Sequence, residues 1–114
     1  MAPFKEKTAR IRELNDAFRK TFTGGKLLMT ASVAELPDMV KAAALQTLAS
    51  FDASAFDKCN DPYGEHDFIA FDLCGRTFFF KIDYFDIKLE YASEDPSDPK
   101  KTTRVGTLML SRDY

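Results

Sequence analysis

The only histidine in the chain, His66, stands among acids. Asp61, Glu65 and Asp67 flank it, and Lys81, Asp83 and Asp86 follow in the next polar stretch. A carboxylate hydrogen-bonded to an imidazole fixes the ring's orientation, which is what a general base needs. The same side chains could bind a ligand, or hold a cation through His66, Asp83 or Asp86, and Asp61. They could equally pin a loop to a sheet. No standard metal-ligand spacing is present, and neither a metal nor a cofactor is expected.

Whether His66 meets a carboxylate depends on the elements that carry it. Residues 66–73 and 76–84 read as two strands joined by Cys74-Gly75, a two-residue loop with glycine and therefore a tight hairpin. That loop sets the register. Leu73 faces Arg76, Phe71 faces Phe78, Ile69 faces Phe80, Phe68 faces Lys81, and His66 faces Asp83. Opposed residues bring their Cβ atoms to about 5 Å, within reach of an imidazole–carboxylate bond. Because side chains alternate, Ile69, Phe71, Leu73, Phe78, Phe80, Ile82 and Tyr84 form the core face. His66, Phe68, Ala70, Asp72, Thr77, Phe79, Lys81 and Asp83 form the other. Asn60-Asp61-Pro62-Tyr63-Gly64 supplies turn chemistry before the first strand.

The remaining elements form the support. Phe4, Ile11, Leu14, Phe18 and Phe22 share one face of a helix over 4–22, with Thr23-Gly24-Gly25 as its stop. Lys26–Thr30 is a short strand expected to be covered on both faces. A second helix runs over about 37–51, opened by Pro37 and buried along Leu36, Val40, Ala44, Leu48 and Phe51. A loop over 52–64 is tacked to the core by Phe56. Residues 102–110 read as a further strand, and 87–91 as either a short strand or a turn of helix. Two Asp-Pro steps exclude regular structure from 93–101. The expected architecture is α+β, in the order α-β-α-β-β-(β)-β. Two helices pack on one face of a largely antiparallel sheet of four to five strands, and residues 1–114 form one domain.

Composition excludes several classes. Hydrophobic residues make up 45% and charged residues 30% of the chain, with a net charge of −2. That balance lacks the basic footprint of a nucleic-acid binder. Phe78, Phe79 and Phe80 are consecutive, so they alternate faces and form no base-stacking platform. No nucleic-acid partner is expected. No apolar run approaches the about 18 residues of a membrane span, and no apolar leader segment is visible. The two cysteines, Cys59 and Cys74, form no CxxC pair, which fits a cytoplasmic protein with reduced thiols. Cys74 at the hairpin tip is over ~20 Å from His66 along the strand, and nothing near Cys59 lowers a thiol pKa. Thr23-Gly24-Gly25-Lys26 lacks the spacing and the preceding strand of a phosphate loop.

Asn60-Asp61-Pro62, Gly64-Glu65-His66-Asp67-Phe68, Lys81-Ile82-Asp83-Tyr84 and Asp86, with the Thr102–Tyr114 segment, occur in the order of an uncharacterised bacterial family of small domains of unknown function. The chain resembles that family from roughly Ile11 to Tyr114. It departs where members carry Gly at Ile69 and Tyr at Phe85. The resemblance implies no activity. It implies association with plasmids and mobile elements, and with it an accessory role exerted by binding a protein. Two readings follow. The first is a protein-interaction module, docking or self-associating through its hairpin end or through Phe68 and Phe79. The alternative is a small-ligand binder or hydrolase-like enzyme using the His66, Asp83, Lys81 and Asp61 cluster.

Overall fold

Alternation and the Cys74-Gly75 turn build the centre of the protein. In the computed structural model, which describes residues 4–56 and 61–114, β2 (Phe68–Leu73) and β3 (Arg76–Phe85) form the hairpin. The register is the expected one from Phe68 opposite Lys81 to Leu73 opposite Arg76. Cys74 and Gly75 have φ of 52° and 74°, the pair of left-handed residues that matches strand twist.

Two further strands complete the sheet, and three helices and two 3₁₀ turns make up the rest, in the order α1 (Phe4–Thr21), β1 (Gly25–Met29), α2 (Ala31–Ala34), α3 (Asp38–Ala49), a 3₁₀ turn at Ala53–Ala55, β4 (Thr103–Leu110) and a final 3₁₀ turn at Ser111–Asp113. The class is α+β, with four strands in the order β1-β4-β3-β2. β4 runs antiparallel to β3 and parallel to β1, so the sheet is mixed. Phe18 of α1, Val33 of α2, and Ala44 and Leu48 of α3 cluster with Ile69, Phe78, Phe80, Ile82, Leu108 and Leu110. All the helical contributions therefore lie on one face of the sheet. α1 can come close because Gly25 and Gly106 lie under Phe18, with no side chain in the way.

Several expectations are corrected. α1 ends through Phe22, whose own backbone takes the left-handed conformation (φ 57°) and whose N–H donates to the Phe18 carbonyl at 2.6 Å. The expected glycine follows two positions later. β1 is an edge strand covered on one face only, and Leu28 is 51% exposed. The 30–35 connection holds a single helical turn, α2, giving a third helix. Residues 87–91 are neither strand nor helix. Asp86 organises them as a turn, its carbonyl accepting from the Leu89 N–H at 3.1 Å and its carboxylate from the Glu90 N–H at 3.0 Å. β2 begins at Phe68, so His66 is not a strand residue. Asn60 and Cys59 of the expected loop lie outside the described residues. Among the described residues, no helix is long and apolar enough to cross a membrane.

Candidate functional site

The turn before β2 sets where His66 goes. The Gly64 N–H donates to the Asp61 carbonyl at 3.2 Å. Asp61 Oδ1 accepts from the His66 N–H at 2.9 Å, a side-chain bond that closes the whole turn. His66 itself has φ of 57°. That left-handed residue breaks the alternation one step before the ladder begins. The Asp67 carbonyl still accepts from the Ile82 N–H at 2.9 Å, but the His66 side chain turns to the helical side. Its Nδ1 lies 2.9 Å from Asp16 Oδ1 on α1, and its Nε2 lies 3.6 Å from Asp61 Oδ2. One face of the ring stacks on Phe56 at 3.8 Å. The expected contact with Asp83 is therefore not made. Asp83 sits on the opposite face of the sheet, 3.5 Å from Lys81.

Asp16 is shared. Arg19 Nε donates to it at 3.2 Å, while Arg19 Nη1 donates to the Leu48 carbonyl at 3.1 Å. The guanidinium also lies over the Phe56 ring. One buried arginine thus joins α1, α3 and the loop that carries the histidine.

A second buried network stands beside the first. Asn15 Nδ2 donates to the Glu65 carbonyl at 3.0 Å and to Tyr84 Oη at 2.8 Å. Asn15 Oδ1 accepts from Arg104 Nε at 2.7 Å. Tyr84 Oη in turn donates to Glu65 Oε1 at 2.8 Å, and Arg104 lies over the Tyr84 ring. Burial pushes the Tyr84 hydroxyl well above its ordinary range; the bond from Asn15 opposes this and the Glu65 charge adds to it. Burial also lowers the Arg104 pKa, against the pull of Tyr84 and Glu65. Among the described residues, no buried side-chain nitrogen or oxygen lacks a hydrogen-bond partner. Both networks are saturated, and each holds α1 against the start of the hairpin.

The other face of the sheet is different in kind. Phe68 and Phe79 pack at 5.1 Å, and Tyr114 meets them edge-on at 5.8 and 5.7 Å. Asp113 fixes the end of the chain there: its carboxylate accepts from Thr30 Oγ1, Ser32 Oγ and the Leu110 N–H at 2.8, 2.9 and 3.0 Å. The three rings, with Pro62, Tyr63, Asp67 and Lys81, line a groove of about 470 Å³.

The expected cluster is thus divided. Asp61, Glu65 and His66 face α1. Asp67 and Lys81 line the outer groove, with Asp83 beside Lys81. Asp86 organises its own turn. Among the described residues, no group of three or more His, Cys, Asp or Glu side chains could hold a metal ion. The residues missed by sequence reasoning are Asn15, Asp16 and Arg19 on α1, Tyr84 and Arg104 on the sheet, and Tyr114. A signal existed for two of them. Asn15 and Arg19 lie four residues apart within the stripe marked by Ile11 and Phe18, and both are buried.

Burial, then the Glu65 charge, raises the Asp67 carboxyl above its ordinary 3.8, with Asp61 and Asp83 adding to the effect. Between the unfolded value and the raised folded one, the folded protein keeps a proton that the unfolded chain has lost. Stability therefore falls as pH rises through that window. Asp67→Asn is expected to raise the urea midpoint at neutral pH. The advantage should fade as pH falls through the folded pKa toward 3.8. Equal midpoints at neutral pH would contradict it.

Neither the curated proteins nor the solved structures contain a match to this chain. Residues 29–113 match a family described as protein of unknown function (DUF3768). That stretch contains the hairpin, β4 and every residue lining the groove except Tyr114, while α1 with Asn15, Asp16 and Arg19 precedes it. Since the match takes in most of the chain, this protein belongs to that family of unknown function.

Proposed function

We propose that this protein is a small protein-interaction module whose docking surface is the outer face of the sheet. One observation carries the reading: three aromatic rings, Phe68, Phe79 and Tyr114, are gathered at an open groove on the face away from the helical core. Contiguous exposed apolar surface of this kind, rimmed by polar groups, is characteristic of binding faces. The occupant it fits is a segment of another protein that inserts an aliphatic or aromatic side chain between the rings, with Lys81 and Asp67 at the rim. The exposed free thiol of Cys74 fits a reducing, cytoplasmic setting. An accessory role in a bacterial mobile element accords with the family resemblance and with a surface made for binding.

The ligand-binding or hydrolytic alternative has less support. His66 has an 11% exposed side chain, between Asp16 and Asp61, and the residues lining the groove do not include it.

The test is selection of a linear peptide library on the immobilised protein, followed by titration of the selected peptides against two variants. Selected peptides should share an apolar anchor. Affinity should fall more than about tenfold with Phe79→Ser, a loss ordinary for a buried aromatic anchor, and stay unchanged with His66→Gln. Peptides without a common anchor, or binding lost only with His66→Gln, would overturn the reading.

A further inference from the structure

We infer that two copies of this chain associate through β2, pairing edge to edge in an antiparallel, two-fold arrangement with Ala70 at the axis. β2 is a terminal strand of the sheet. The Asp67 carbonyl accepts from the Ile82 N–H, and the register continues through Ile69–Phe80, Phe71–Phe78 and Leu73–Arg76. These odd-numbered residues turn their backbone groups toward β3. Phe68, Ala70 and Asp72 must then turn theirs outward, because the groups alternate along an antiparallel pair. Among the described residues, none of these outward N–H and C=O groups has a hydrogen-bond partner.

An open edge of this sort is normally blunted by lysine, proline, a bulge or extreme shortness. β1, at the other edge, is five residues long and carries exposed Lys26. β2 reads Phe-Ile-Ala-Phe-Asp-Leu and carries neither lysine nor proline. Its one charge, Asp72, accepts a hydrogen bond from its own neighbour Thr77 at 2.6 Å.

The geometry selects the partner. Antiparallel pairing with a second copy, Ala70 opposite Ala70 and Phe68 opposite Asp72, bonds every outward N–H and C=O of the three residues. It places the smallest side chain of the strand where the copies meet and keeps the two Asp72 carboxylates apart. The two-fold axis stands perpendicular to the sheet, so the sheet runs on through both copies and both aromatic grooves open on the same side. This interface uses the strand edge and does not depend on the docking function proposed for the groove.

Sedimentation velocity on the full chain tests it, using wild type, Ala70→Lys, Ala70→Glu and an equimolar mixture of the two variants. Wild type should dimerise with concentration. Each variant alone should sediment as a monomer, since like charges would stand directly opposite, and the mixture should recover the dimer. That recovery also shows that both variants fold. Phe79→Ser should leave the dimer intact. The inference is overturned by a wild type that is monomeric at every soluble concentration, by single variants that still dimerise, by a mixture that does not, or by a dimer that Phe79→Ser dissolves.

Discussion

Replacing Asn15 by leucine is expected to destabilise the protein by about 3 kcal/mol, because leucine fits the space but answers none of the groups around it. Asn15 is fully buried. Its amide satisfies the Glu65 carbonyl and Tyr84 Oη, and its carbonyl receives Arg104 Nε. With leucine, a buried guanidinium N–H and a part-buried carbonyl lose their partners together. The apolar area gained offsets only part of that cost. Arg104→Met should lower the cost in the Asn15→Leu background, since removing both partners of a buried polar pair is cheaper than removing one. Urea unfolding of the two single variants and the double variant measures this. A cost for Asn15→Leu below about 1 kcal/mol, the worth of an ordinary hydrogen bond, would mean that the network does not hold α1 in place.

Gly106→Ala should cost a similar amount by the opposite mechanism. A Cβ at Gly106 would stand within the Phe80 ring's contact distance and 2.7 Å from Phe18 Cε2. Neither ring can yield toward solvent, because Phe80 is 0% and Phe18 1% exposed. Overpacking of a filled core costs about 1–3 kcal/mol, and contact with two immobile rings puts this change at the upper end. Phe18→Leu is destabilising alone, yet it makes room and should partly rescue Gly106→Ala. If thermal melts showed the two losses simply adding, the rings would not be what Gly106 accommodates.

The hairpin was legible because two independent signals agreed. The Cys74-Gly75 loop fixed the pairing, and strict alternation from Ile69 to Ile82 fixed the faces. The position of His66 was not legible, because one left-handed residue outside glycine cancels alternation and leaves no compositional mark. The register argument points the ring at Asp83, but its neighbours are Asp16 and Asp61. Asp16 lies on α1, and sequence distance hides such neighbours. Asn15 and Arg19 are buried but polar, so the apolar periodicity of the helix does not mark them. A polar side chain inside an apolar stripe marks a buried network as readily as a solvent-facing position. The parallel pairing of β1 with β4 was likewise hidden, since an edge strand of five residues carries no record of direction.

The placement of β4 between β1 and β3 has a consequence for how the chain reaches this structure. β1 leaves the ribosome early, but among the described residues its strand partner is β4, which is made well after the hairpin. Until then β1 and the inner edge of β3 both wait unpaired, and Phe18 has no Gly106 to lie on. Closing contacts between residues as far apart in the chain as Gly25 and Arg104 is entropically slow. The β2–β3 hairpin can form at once, whereas the sheet closes only after synthesis of β4. Between the synthesis of β3 and that of β4 the chain holds a hairpin with two unfinished edges, and a chaperone that recognises extended strands would find its substrate there.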